Sequence, residues 1–385
     1  MEVYLDNAAT TKVMDKAVEK TALVFNLNYG NSASMHKKGM EAEKEVIHSK
    51  KILAGILKIE PNELYFTSGG TESNNMAILG AARIYHRRGK HIIVSAYEHP
   101  SVLKTAMSLE EEGFEVSILK VQKDGSFLLE ELEKLIREDT ILVSIMHVNN
   151  EVGTIAPIEK IGKLIKKKNQ NTLFHVDAVQ SFGKLEIFPK KYLIDYMSVS
   201  GHKLYAPKGI GILYIKKGLR LKPLFYGGGH QEGVRPGTEN TPAIAALGTV
   251  AEQLYANLSE NYEKLGHIKK YLRDRILNEI ENTYQNSPSD EITGNHILNI
   301  RFEDVKGEVL LHSLEEKGIY VSTGSACSSK KTELSSTLLA LGYTSAQVDS
   351  SIRFSFSLDN TIEEMDYLVE QLKQIVPTLR KFVKK

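Results

Sequence analysis

The stretch Tyr196-Met197-Ser198-Val199-Ser200-Gly201-His202-Lys203 sets a lysine just past an apolar/polar alternation, which predicts a strand ending at Ser200. In open α/β sheets, ligands collect where strands end. A lysine there can act as a nucleophile, because its amine condenses with carbonyls once desolvation or a neighbour lowers its pKa. Most of the 49 Lys and Arg are ordinary surface charges. Lys203 stands apart because Asp177 closes the apolar run Leu173-Phe174-His175-Val176 upstream. A strand-end aspartate followed by a strand-end lysine is the pair that pyridoxal phosphate needs. The lysine carries the aldehyde as a Schiff base, and the aspartate keeps the pyridine nitrogen protonated so that the ring draws electrons.

Three other stretches carry reactive or binding groups. Gly69-Gly70 precedes Thr71-Glu72-Ser73, where a strand turns into a helix. Backbone N–H groups at such a helix start, with the Thr71 hydroxyl, form an anion site. The spacing fits neither a Walker loop nor the dinucleotide fingerprint, and packing alone explains a glycine pair equally well. Cys327, the only cysteine, lies in Gly324-Ser325-Ala326-Cys327-Ser328-Ser329-Lys330-Lys331. Free cysteines are most often small core residues. Here the small polar neighbours predict an exposed loop, and nearby lysines favour thiolate, so a reactive role is preferred. Arg353, in Ser351-Ile352-Arg353-Phe354-Ser355, is either a clamp for a substrate carboxylate or a cap on one of the protein's own carboxylates.

The elements that must position these groups alternate in type. Strands are predicted at 64–68, 91–96, 115–119, 141–146, 173–177, 196–200 and 211–215, with helical stretches between most of them. That order predicts a mostly parallel sheet covered by helices on both faces, with 141–146 as a central strand. The run Gly227–Asn240 is too polar and glycine-rich for a core, and a loop that long is usually functional. Asn7 and Thr11 read as turn and cap residues. The remainder reads as a second, smaller α+β unit, whose last helix is expected to end just before Pro377.

At 385 residues, two domains are the natural expectation. Apolar content of 42% and charged content of 25% are those of a globular protein. A net charge of +1 gives no reason to invoke nucleic acid or an acidic membrane. The run Lys166-Lys167-Lys168 reads as a solvated helix face. No apolar run approaches a membrane span. One cysteine excludes an internal disulfide and a cysteine-rich metal site. The N-terminus has no signal-peptide layout, and a cytoplasmic location is expected.

Eight motifs occur in order: Asn7-Ala8-Ala9-Thr10-Thr11, Gly69–Ser73, Glu98-His99, Asn149-Asn150-Glu151-Val152-Gly153, His175–Gln180, Ser200–Lys203, Arg235-Pro236-Gly237-Thr238 and Gly324–Cys327. Together they closely resemble the pyridoxal-phosphate-dependent cysteine desulfurases of the NifS/IscS type, and the resemblance covers nearly the whole chain. It implies the fold type I architecture, with a large cofactor-binding domain over 15–256. Residues 1–14 and 257–385 would form a small domain carrying the cysteine loop. It implies that Lys203 binds the cofactor and moves substrate protons, Asp177 pairs with the ring nitrogen, and His99 stacks on the ring and serves as an acid–base group. Gln180 would bond the phenolic oxygen. Gly70, Thr71, Ser200 and His202 would hold the phosphate, with Thr238 arriving from the other subunit of a homodimer. Asn150 and Arg353 would bind the carboxylate of L-cysteine. Cys327 would take the sulfur as a persulfide, releasing alanine, and pass it to an acceptor protein. No metal is implied.

An aminotransferase or a selenocysteine lyase of the same fold is the alternative enzyme reading, but an aminotransferase has no need of a cysteine in an exposed loop. A non-catalytic sulfur carrier would not need the Lys203/Asp177 pair. Housekeeping relatives continue past the last helix into a tail that docks the iron–sulfur scaffold, whereas this chain stops at Lys385. The expectation is therefore a dedicated acceptor, such as a tRNA- or thiamine-thiolation enzyme, with Lys330 and Lys331 facing an acidic rim on it.

Overall fold

Apolar runs buried from end to end build the centre of the molecule, as strands covered on both faces must be. The computed structural model describes residues 1–324 and 334–382. In chain order its elements begin with β1 (Val3–Tyr4), α1 (Asp15–Asn26), α2 (Lys37–Leu57), β2 (Leu64–Thr67), α3 (Gly70–Tyr85) and β3 (His91–Ser95). Then follow α4 (Pro100–Ser108), β4 (Glu115–Leu119), α5 (Leu129–Leu135), β5 (Thr140–Met146), α6 (Ile158–Lys168), β6 (Leu173–Asp177), β7 (Tyr196–Ser200) and β8 (Gly211–Ile215). Two long helices come next, α7 (Thr241–Ala256) and α8 (Leu258–Glu279). The last stretch holds β9 (Thr283–Gln285), β10 (Ile297–Phe302), α9 (Gly307–Glu315), β11 (Ile319–Tyr320), α10 (Ser336–Ala340), α11 (Ser345–Asp349), β12 (Ser351–Ser355) and α12 (Ile362–Arg380).

Seven strands form one sheet in the order β2-β8-β7-β6-β5-β3-β4. The pairs from β7 to β4 are parallel, and β8 runs antiparallel to both its neighbours. The reversal follows from the connection. Residues 201–210 hold no crossover helix, so the chain must turn back beside β7. β5 is an interior strand with every residue buried. Buried polar side chains tie the strands in register. His175 of β6 bridges Ser144 of β5 at 2.7 Å and Ser198 of β7 at 3.0 Å. Burial pushes this imidazole down to about 3, so it acts as a neutral crosslink.

A separate apolar core lies under β9, β10 and β12, which form an antiparallel sheet in the order β12-β10-β9. Val3 and Leu5 of the N-terminal segment join that core with α8, α9 and α12. β1 pairs with β11, and Asp6 bridges Ser355. Beyond this point the N-terminal segment crosses back to the large sheet, where the Thr11 N–H donates to the His202 carbonyl at 2.9 Å.

Two expectations change. α12 runs through Pro377 to Arg380. The proline forfeits one helical hydrogen bond, but Val376 is buried and Arg380 donates to the Glu303 and Asn282 carbonyls, so docking outweighs the loss. Lys166 is not part of a solvated face: its ammonium donates to buried Asp195 at 2.5 Å and to the Thr172 carbonyl at 2.7 Å. The polar 227–240 loop also binds its own subunit. The Gln231 amide satisfies both the N–H and the carbonyl of Phe66 on edge strand β2, at 2.6 and 2.8 Å, and Arg235 pairs with Glu72. That side chain covers a sheet edge which would otherwise invite pairing.

Candidate active site

The carboxyl ends of β3, β5, β6 and β7 open into one cavity of about 360 Å³. Gly70, Thr71, His99, Asn150, Asp177, Gln180, Ser200, His202, Lys203 and Arg353 all line it. Thr238 does not; it sits exposed on the 227–240 loop. Cys327, Lys330 and Lys331 lie outside the described residues.

Lys203 is carried on a single helical turn directly after β7. Its Nζ donates to the carbonyls of Ala8 and Ala9, at 2.6 and 2.5 Å. Lys184, itself buried, donates to the Lys203 carbonyl at 2.9 Å and fixes the turn from behind. Burial, helped by Lys203, pushes Lys184 down to about 7. Thr11 completes the clasp, accepting the Tyr205 N–H at 2.7 Å and donating to the His202 carbonyl at 3.1 Å. Asn7 likewise bonds the carbonyls of Tyr4 and Ser355, so both residues work as turn and cap groups.

Asp177 is buried at the end of β6. It accepts the Val179 N–H at 2.9 Å and the Asn74 amide at 2.8 Å. Burial pushes its carboxyl up, while the Val179 N–H, His99, Asn74 and Lys203 all oppose that rise. Next to His99, Glu98 is pushed up to about 8 by burial, and one of its oxygens has no partner. Gln180 donates to the Ala8 carbonyl at 2.9 Å, leaving its Oε1 buried and unpartnered. His202 is pushed down to about 4 by burial first and by nearby lysines second, so it is neutral near pH 7.

At α3 the chain enters the helix through Gly69, whose φ of 153° only glycine adopts readily. A Cβ on Gly70 would lie 2.7 Å from Val179 and 3.4 Å from the Ser200 side chain, so the helix start sits directly against the β6 and β7 exits.

Arg353 resolves the alternatives left open by its spacing in an unexpected way. It pairs with Asp6 at 2.7 Å and donates to the Asn150 carbonyl at 2.9 Å, yet it also lines the cavity. Its Nε is buried without a partner. Glu151, one residue on, has a buried carboxylate that accepts from the Ser335 hydroxyl. A Cβ on Gly324 would meet that same carboxylate at 2.7 Å, so Glu151 lies against one side of the cysteine segment while it bonds the other.

Sequence reasoning missed Asp6, Asn74, Ser101 and Lys184. Asn74 was the most accessible of these, since it lies one helical turn after Gly70 and so faces the same way. Ser101 lies two residues from His99 and bonds it locally, whereas Asp6 and Lys184 are brought in by contacts between distant segments.

The chain matches the family described as Aminotransferase class-V over residues 3–368. It is 44% identical over 379 residues to the protein named Cysteine desulfurase IscS of Methanosarcina thermophila, covering 98% of this chain and 93% of that one. The protein of the same name from Clostridium botulinum strain Hall is 40% identical over 382 residues, covering 98% and 95%. Among solved structures, a NifS-like protein superposes with a TM-score of 0.93 at 38% identity, covering 98% of this chain and 100% of that one. A second, SspA in complex with cysteine, superposes with a TM-score of 0.82 at 34% identity, covering 92% and 98%. With this fold, this cavity and these relatives, the chain belongs to the class-V aminotransferase family and, within it, to the pyridoxal-phosphate-dependent cysteine desulfurases.

Proposed function

We propose that the cavity between the sheet exits and the N-terminal crossing is where sulfur is removed from L-cysteine, giving L-alanine and a persulfide on Cys327. The observation that carries this reading is the meeting of Lys203, Asp177, the α3 start and Arg353 around one cavity. The residues fit pyridoxal phosphate. A buried carboxyl that burial pushes up suits a cationic ring nitrogen, which would oppose that rise. The unpartnered Gln180 amide oxygen marks a side chain with bonding capacity to spare. The α3 start, with Gly70 bare of side chain, Thr71, Ser200 and His202, suits a phosphate.

When bound, the cofactor withdraws electrons from an attached amino acid and weakens the bonds at its α-carbon. Lys203 then holds and moves the proton at that carbon. Asp177 would hold the ring's charge, and His99 would lie over the ring. Arg353, braced by Asp6, takes the substrate carboxylate with Asn150 beside it. The Cys327 thiolate attacks the substrate sulfur: an S–S bond forms, the C–S bond breaks, and its electron pair leaves with the carbon that becomes the alanine methyl. The persulfide sulfur passes to an acceptor, a thiolation enzyme or an iron–sulfur scaffold. A reducing, cytoplasmic setting suits a lone thiol that must stay reactive. The alternative enzymes of this fold gain no support from the relatives. The test is to supply L-cysteine labelled with radioactive sulfur: label should appear on the Cys327 peptide with release of alanine. Label elsewhere, or pyruvate in place of alanine, would refute the reading.

Two further parts of the proposal make quantitative predictions. Arg353→Lys keeps the charge but loses the planar fork. KM for L-cysteine should rise roughly 10- to 100-fold, about 1.4–2.7 kcal/mol, with kcat changed far less. A collapse of kcat at unchanged KM would show that Arg353 does not bind the carboxylate.

The division into a large domain over 15–256 and a small one over 1–14 and 257–385 is supported by the separate apolar core beneath β9, β10 and β12. A homodimer is supported by large apolar side chains left exposed on two joined loops. Tyr29 and Met35 are 65% and 96% exposed, Tyr226 is 80% exposed, and Ser32 bonds Glu239 across the loops. Thr238 lies on the second of these loops and would reach the partner's phosphate. Mixing Thr238→Glu with Lys203→Ala subunits should therefore rescue activity. Half the dimers are hybrids with one intact site of two, so about a quarter of wild-type activity is expected. A fully active monomer by light scattering and assay would refute the shared site.

A further inference from the structure

His99 is the N-cap residue of α4. Its Nδ1 accepts the Ser101 backbone N–H at 3.1 Å, and the Ser101 hydroxyl lies 2.7 Å from the same nitrogen. The direction of that second bond is decided at Asp177. An ionised carboxylate only accepts, so Asn74 must turn its NH2 group toward Asp177 Oδ2, 2.8 Å away. The other proton of that NH2 then points at Ser101 Oγ, 2.9 Å away. With Oγ accepting from Asn74, the hydroxyl proton goes to His99 Nδ1. Asn74, Ser101 and Asp177 are all buried, so water does not compete for these bonds.

We propose that Ser101 and Asn74 are positioning residues that lock His99 as the neutral Nε2–H tautomer, so that its ring can donate a hydrogen bond to a bound molecule but cannot take a proton from it. Abstraction of the substrate proton then falls to Lys203 alone. The inference rests on the reading of Asp177 as the partner of a cationic ring nitrogen, which keeps its carboxylate ionised.

The surrounding charges agree. Burial first, and Lys203 second among the lowering causes, hold the His99 imidazole below its ordinary range, against the pull of Asp177. The start of α4 presents its positive end to the ring, which disfavours imidazolium further. Glu98, the carboxyl next in the chain, is pushed up to about 8 and is uncharged near neutrality, so it offers no compensating field. The unpartnered Asn74 Oδ1 is the one loose end of the relay, and flipping the amide to use it would set oxygen against oxygen at Asp177.

Neutron diffraction from the deuterated holoenzyme reads the tautomer directly. Deuterium on Nε2 alone is expected; deuterium on Nδ1, alone or with Nε2, overturns the proposal. Nitrogen-15 titration of His99 gives the second reading. Ser101→Ala removes a bond to the neutral ring, so the His99 pKa and the acid limb of kcat/KM should both rise by about half a unit to one unit. Ser101→Thr keeps a hydroxyl and should restore the wild-type profile. An unmoved titration and acid limb in Ser101→Ala, at wild-type cofactor content, would overturn the role of Ser101. Failure of the underlying site reading is separate, because it appears as cofactor that borohydride does not fix to Lys203.

Discussion

Lys203→Ala should lower the turnover of L-cysteine by roughly 10³-fold or more, since on the proposed reading it removes both the attachment point of the cofactor and the group that moves the substrate proton. The expectation comes from placement. Lys203 leaves β7 at the cavity, and its Nζ is aimed by the Ala8 and Ala9 carbonyls. Borohydride reduction of the wild-type holoenzyme should fix the cofactor on the Lys203 peptide, and the variant should lose that label. Lys184 is the informative competitor, because burial pushes its amine down to about 7, where much of it is unprotonated. Its Nζ is nevertheless tied to the Lys203 carbonyl. Label on Lys184 or on Lys208 would sink the assignment. A modest fall in melting temperature should accompany the loss of the two carbonyl bonds, which join the N-terminal crossing to the large sheet.

The second large effect separates the two halves of the reaction. Cys327→Ala should retain the cofactor and its absorbance and should still bind L-cysteine, but form no persulfide and release no sustained alanine. The loss in sulfur transfer should again be roughly 10³-fold or more, because no other thiol exists in the chain. Mass spectrometry of the wild-type protein after one turnover should find one added sulfur on the Cys327 peptide. Undiminished alanine production by Cys327→Ala would instead favour a lyase, and amino-group transfer to a keto acid would favour an aminotransferase.

Much of the scaffold could be read from local pattern. The strands at 173–177, 196–200 and 211–215 begin and end where periodicity put them, because short apolar runs buried on both faces tolerate little slippage. The lysine and the aspartate were visible for the same reason, as polar residues at the exits of such runs. What stayed hidden depends on contacts between segments far apart in the chain. The partner of Arg353 is Asp6, 347 positions away, so spacing could not choose between clamp and cap. The Asn74–Ser101–His99 relay joins two helix starts that meet only once the sheet is assembled. Lys166 looked like one charge in a solvated run until Asp195 was folded beneath it. The reversal of β8 and the passage of α12 through Pro377 are tertiary outcomes that overrode the local signal.

The place of Gly324 at the cavity fixes how far a sulfur carried on Cys327 could travel. Gly324 lines the cavity, and Cys327 is three residues beyond it. At about 3.6 Å per residue for a fully extended chain, the Cys327 backbone stays within roughly 11 Å of Gly324. A persulfide on Cys327, as proposed, would therefore be a cargo on a short leash, held near Gly324 at an effective concentration of roughly millimolar or above. On that proposal a client could not wait at a distant docking surface for delivery. It would have to extend its own receiving group into that small sphere, and clients would be selected by the reach of their acceptor loop as much as by the strength with which they bind.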